Sequence, residues 1–125
     1  MLGPMVAVKP SGQEFVFAGA AAGGVAAPTA LVDVAARVLL AGEPLGAASE
    51  APRMHGGSDP EFVYVEPGAS TRSVQTLVDL GYEAAPAQRL GRVNAIACPA
   101  GLQSNPETCA AATDPRGFGL AASTE

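Results

Sequence analysis

A chain of 125 residues is one domain or part of one, and 48% apolar against 15% charged residues exclude a disordered polymer. A net charge of −5 with seven scattered basic residues argues against a nucleic-acid binder, because phosphate neutralisation needs a Lys/Arg patch. The longest apolar stretch, residues 25–41, carries Pro28, Asp33 and Arg37 and is too short to span a bilayer, and Met1-Leu2-Gly3-Pro4 has no basic start of a signal peptide. Alanine and valine dominate the apolar fraction, so the surface is expected to be thinly charged and suited to burial against other chains.

Residues 5–8 and 15–18 read as two short strands. Lys9-Pro10-Ser11-Gly12 between them has proline second and glycine fourth, a type I turn pattern, so the chain opens with a hairpin. The second strand runs into Gly19-Ala20-Ala21-Ala22-Gly23-Gly24, read as a loop directly before an apolar-periodic run. Free N–H groups at the positive end of a helix can hold an anion or a developing oxyanion, and glycine allows close approach to the main chain. The same pattern also suits a helix start packed tightly against a strand, and the residues alone leave both readings open.

A helix follows over residues 28–41. Pro28 suits its first turn, Leu31, Val34, Ala35 and Val38 form an apolar stripe, and Asp33 and Arg37 pair one turn apart. Gly42 stops it, and Pro44 opens a shorter helix that ends near Ala51 because Pro52 blocks continuation. Phe62–Val65 reads as a strand and Pro67-Gly68 as a turn. Ser70 caps a helix through Leu80, with Val74, Leu77 and Val78 inward and Gly81 as the stop. Glu83–Pro86 reads as a short strand, residues 93–98 and 108–112 as strands joined by a Pro/Asn/Ser-rich loop, and residues 118–121 as a last short strand. The pattern is α+β, an antiparallel sheet with helices packed on it, in a single domain over residues 1–125.

Chemistry-bearing residues are few. His55 is the one histidine, and Gly56-Gly57-Ser58-Asp59 after it reads as a loop, which favours a backbone contact over catalysis. One histidine and two cysteines meet no structural ligand spacing, so neither a metal nor another cofactor is expected. Cys98 and Cys109 sit at facing ends of two expected strands. They are either a cross-strand disulfide, worth about 3 kcal/mol in the chain-entropy model, or two buried thiols. Arg53 and Arg116 each follow a proline. They suit carboxylate clamping, or structural ion pairs to Glu50, Asp59 or Asp114. No Gly-x-Ser-x-Gly nucleophile elbow is present.

Four segments occur in order along the chain: Ala51-Pro52-Arg53-Met54-His55, Pro60-Glu61-Phe62-Val63-Tyr64-Val65-Glu66, Gly91-Arg92-Val93-Asn94-Ala95-Ile96, and Thr113-Asp114-Pro115-Arg116-Gly117. With the glycine pair before a helix, this resembles the C-terminal part of the small subunit of the gamma-glutamyltransferase family, over nearly the whole chain. The resemblance implies part of an N-terminal-nucleophile hydrolase αββα sandwich. In that family one precursor cleaves itself, and the new N-terminal threonine attacks a γ-glutamyl carbonyl. The acyl-enzyme then passes to water or an amine, with glutathione among the donors. A free α-amine beside the hydroxyl can serve as its base.

Carried over by resemblance, Gly23 and Gly24 match the glycine pair whose backbone N–H groups form the oxyanion hole, although Ala20-Ala21-Ala22 before them departs from the family spelling. The threonine nucleophile, the acidic residue for the donor's amino group and the Ser-Ser pair for its carboxylate are expected upstream, and Leu2-Gly3-Pro4 carries no hydroxyl. The Pro-Arg motifs are expected to be scaffold. The chain alone is then expected to be inactive, needing an upstream or large-subunit chain, and to be periplasmic or extracellular if it follows much of the family. The alternative is a truncated, non-catalytic module that associates with itself or another chain through unpartnered strands.

Overall fold

The computed structural model describes residues 3–57 and 62–122. The loop reading at Ser58 and Asp59, Asp59 as a partner of Arg53, the Pro60-Glu61 part of the second segment and the missing hydroxyl at Leu2 lie outside the described residues. In chain order the elements are β1 (Gly3–Val8), β2 (Phe15–Ala22), α1 (Ala27–Leu39), α2 (Leu45–Glu50), β3 (Met54–Gly56), β4 (Phe62–Val65), α3 (Thr71–Asp79), β5 (Glu83–Pro86), β6 (Arg92–Ala97) and β7 (Ala110–Ala112). Single 3-10 turns cover Gly24–Ala26 and Pro106–Thr108. They fall into two compact units, one of residues 3–51 with 91–122 and one of residues 52–90.

The first unit is a four-stranded antiparallel sheet in the order β1-β2-β6-β7. Its alternation fixes its faces: Val93, Ala95 and Ala97 of β6 are buried while Arg92, Asn94 and Ile96 are exposed. The buried face meets the stripe of α1, and Phe17, Leu31, Val34, Val38, Leu45 and Val93 form the core. The opposite sheet face is uncovered in this chain, with Val6 66%, Val8 50% and Ile96 48% exposed. The hairpin turn closes through the Gly12 N–H, which donates to the Lys9 carbonyl at 2.7 Å. Arg37 pairs with Asp33 at 3.2 Å, as the one-turn spacing implied, and also with Glu43 at 3.2 Å.

Ala97 pairs with Ala110, so Cys98 and Cys109 occupy the next cross-strand position, and they form a disulfide with a Cα–Cα distance of 4.1 Å. Three expectations need correction here. Gly19–Ala22 is strand, because pairing with β1 on one side and β6 on the other overrides the low strand propensity of Gly and Ala. Thr108 belongs to a 3-10 turn opened by Pro106, which shortens the last strand to Ala110–Ala112. Residues 118–121 form no strand: Phe118 and Leu120 are 97% and 98% exposed, so their alternation finds no sheet to join.

The second unit is a three-stranded sheet in the order β3-β4-β5. β3 and β4 run antiparallel, while β4 and β5 run parallel, with α3 as the connection between them. The Ser70 hydroxyl accepts the Ser73 N–H at 3.4 Å, the expected N-cap. α3 buries none of its residues, however. Val74 and Leu77 are half-buried, but Val78 is 47% exposed and does not face inward, because the small sheet beneath has too little area to cover a third position. His55 lies on β3 opposite Tyr64 rather than in a loop. No described helix is long and apolar enough to cross a membrane.

Candidate functional site

The glycine pair sits where the β2–β6 ladder ends. Ala22 pairs with Arg92, and the chain then turns through Gly23 (φ 126°) and Gly24 (φ 66°), both in the left-handed half of backbone space. A Cβ at Gly23 would lie 2.8 Å from the Gly91 Cα, so only glycine fits without moving backbone. At Gly24 there is open space. Among the described residues neither glycine N–H donates to a partner. Gly24 opens a 3-10 turn, Gly24–Ala26, that leads into α1, and the Ala27 N–H donates to the Gly24 carbonyl. The pair is therefore a strand-end turn ahead of α1. Gly19 has a separate role: a Cβ there would come within 2.9 Å of Leu31 Cδ1, so its glycine serves packing on α1.

Cavities flank the residues just before the pair. An apolar one of about 150 Å³ lies among Pro4, Ala21, Ala27, Pro28 and Leu31. A polar one of about 340 Å³ is bordered by Ala20–Ala22, Arg92, Asn94, Asp114 and Gly117–Gly119. The second was not legible as a site in the sequence. The readable signal was the alternation Arg92, Asn94, Ile96 outward against Val93, Ala95, Ala97 inward, which puts two polar side chains on the strand directly beside Ala20 and Ala22.

Asp114 is buried at 2% exposure and ties this region together. Its Oδ2 accepts the Val93 N–H at 2.8 Å, and its Oδ1 accepts the Arg116 N–H at 2.9 Å and the Arg116 guanidinium at 3.2 Å. Arg116 also donates to the Ser49 and Ala51 carbonyls, both at 2.9 Å, at the C-terminal end of α2. This is the structural reading of the Pro-Arg motif, with Asp114 as the partner. In the second unit, buried Arg53 donates its backbone N–H to Glu66 Oε2 at 3.0 Å and its guanidinium to the Leu90 carbonyl at 3.3 Å. Its backbone partner Glu66 was not among the carboxylates expected for it.

A second polar cluster holds the hairpin to the disulfide loop. The Glu14 carboxylate pairs with Lys9 at 2.6 Å and accepts the Ser104 N–H at 2.9 Å. These partners, Lys9 first, hold its pKa down at about 2. Among the described residues no group of His, Cys, Asp and Glu side chains could hold a metal ion.

The gamma-glutamyltranspeptidase family model matches residues 1–124. Gamma-glutamyltranspeptidase from Pseudomonas nitroreducens superposes with a TM-score of 0.80 at 22% identity, over 99% of this chain and 62% of that one. The Helicobacter pylori enzyme of the same name gives 0.76 at 23% identity, over 93% of this chain and 61% of that one. Transpeptidase CapD from Bacillus anthracis gives 0.75 at 19% identity, over 99% of this chain and 71% of that one. No curated protein matches. The chain thus spans about three fifths of the first two structures, and at these identities the likeness is one of fold, α+β.

Proposed function

Since the chain belongs to the gamma-glutamyltranspeptidase family, we propose that it supplies the oxyanion hole and scaffold for transfer of a γ-glutamyl group to water or an amine. The nucleophilic threonine then comes from residues outside this chain. The observation that carries the reading is the Gly23–Gly24 turn, two left-handed glycines with N–H groups uncommitted among the described residues. When a hydroxyl adds to the γ-carbonyl, its oxygen becomes negative. Two preset N–H donors stabilise that charge without reorganising, and losing one such donor costs about 3 kcal/mol in the barrier. The β2–β6 ladder up to Ala22 and Arg92, continued by the close approach of Gly91 to Gly23, holds the turn in place.

The test is release of the anilide from a γ-glutamyl anilide, first by the chain alone and then by the chain assembled with the family residues it does not carry. The expected result is turnover only in the assembly. Gly24→Pro removes the N–H and also, because proline cannot take the φ of 66° found there, the turn that presents it, and lowers kcat about a hundredfold or more. Gly24→Asn, which keeps the N–H and tolerates the left-handed conformation, retains kcat within a few-fold. Robust turnover by the chain alone, or a Gly24→Pro assembly as fast as the parent, would overturn the reading.

A second reading, a non-catalytic module that associates with itself or another chain, is favoured by the uncovered sheet face with Val6, Val8 and Ile96 exposed. Mass measurement during size exclusion tests it. A monomer at high concentration would remove self-association, and with it the support this face gives.

A further inference from the structure

The polar cavity beside Ala20–Ala22, the residues just before the glycine pair, has an electrostatic asymmetry that the oxyanion role does not use. Three polar side chains border it: Arg92, Asn94 and Asp114. Asp114 is already committed, accepting two backbone N–H groups and the Arg116 guanidinium, so its charge is offset within the scaffold. Asn94 Oδ1 accepts the Asp114 N–H at 3.4 Å, which turns its NH2 group the other way as a donor. The Arg92 side chain makes no hydrogen bond or ion pair among the described residues, and its stem lies over Gly117, where an added Cβ would be 3.4 Å from Arg92 Cδ. The uncommitted character of the cavity is therefore that of a cation and an amide donor, set one ladder position before Gly23. A planar guanidinium with an adjacent amide suits a carboxylate, and about 340 Å³ suits a small molecule.

We infer that Arg92 and Asn94 bind a carboxylate of an amino-acid-like substrate, at the glycine-pair end of the open sheet face. Its assignment to a substrate rests on the acyl-transfer reading; the anion binding itself does not. The carboxylate belongs either to the γ-glutamyl donor or to a peptide acceptor, and the two are separable. The chain, labelled with nitrogen-15, is titrated with L-glutamine as donor-like probe and with glycylglycine as acceptor-like probe, each also as its carboxyl amide. The expected result is a saturable shift of the Arg92 Nε–H and Asn94 NH2 signals with one acid and not with its amide, and the acid that binds names the source. Arg92→Gln weakens that binding about tenfold or more, and Arg92→Lys weakens it less. Arg92 is exposed, so unmoved backbone signals in Arg92→Gln verify that the fold is kept. The inference is overturned if neither acid moves these signals, if the amides move them equally, or if Arg92→Gln binds as tightly as the parent. Failure of the oxyanion reading shows instead as an unchanged kcat in Gly24→Pro, with this titration unaffected.

Discussion

The two units solve the same problem with opposite means. The first has an apolar core between α1 and a four-stranded sheet, with Phe17, Val34 and Val93 at 0% exposure. The second has a three-stranded sheet and a helix with no fully buried residue. Its buried residues include Val63 and Leu90, but also Arg53 and Glu66. There Glu66 acts as a staple: Oε2 accepts the Arg53 N–H at 3.0 Å and Oε1 the Leu90 N–H at 2.6 Å, joining both ends of the unit's chain. Asp114 with Arg116 is the same device in the first unit, but there it adds to a core that already holds. A buried carboxylate matters in proportion to how little hydrophobic burial surrounds it.

The largest effect should come from removing that staple. Glu66→Ala leaves two buried N–H groups unpaired and should destabilise the second unit by about 4 kcal/mol. Hydrogen exchange would show β4 and β5 amides losing protection; unchanged exchange there would break the comparison. In the first unit, Leu31→Ala should cost about 3 kcal/mol by cavity formation, read from denaturant unfolding of the α1 signal. Reducing the disulfide, or Cys98→Ser with Cys109→Ser, should cost slightly less, since the closed loop is short (a separation of 11). A thermal melt with and without reductant measures it.

The smallest effect is pH-dependent. The folded pKa of Glu14, about 2, lies below its ordinary 4.5. Its contribution is therefore complete above pH 4.5 and is lost as the pH falls through about 2. Between those values the parent should lose stability more steeply than Glu14→Gln; parallel acid titrations of the two would remove this role for Glu14.

Much of the first unit was legible because its signals are periodic. The stripe Leu31, Val34, Ala35, Val38 between Pro28 and Gly42 gives α1, and the hairpin follows from Lys9-Pro10-Ser11-Gly12. Phe62–Val65 and Glu83–Pro86 carry their own bounds, but nothing local says that they pair in parallel. β3 escaped because three residues, one of them glycine, are too short for a pattern, and their strand conformation comes from Tyr64 and its neighbours. Phe118 and Leu120 mislead for the converse reason: local alternation without a partner makes no strand. At the site, the glycine pair stood out by composition. Arg92 and Asn94 did not, because their importance lies in which strand they face and in Asp114 being spoken for by Arg116.

Gly91 shows how narrow the inheritance of this fold is. Its φ is 73°, and a Cβ there would fall 2.7 Å from the Ala30 Cβ, while its own Cα is what a side chain on Gly23 would strike. Every single-base change in a glycine codon that alters the amino acid adds at least a Cβ. At position 91 no missense neighbour in the genetic code is therefore sterically neutral, and drift at that codon is confined to its silent third base.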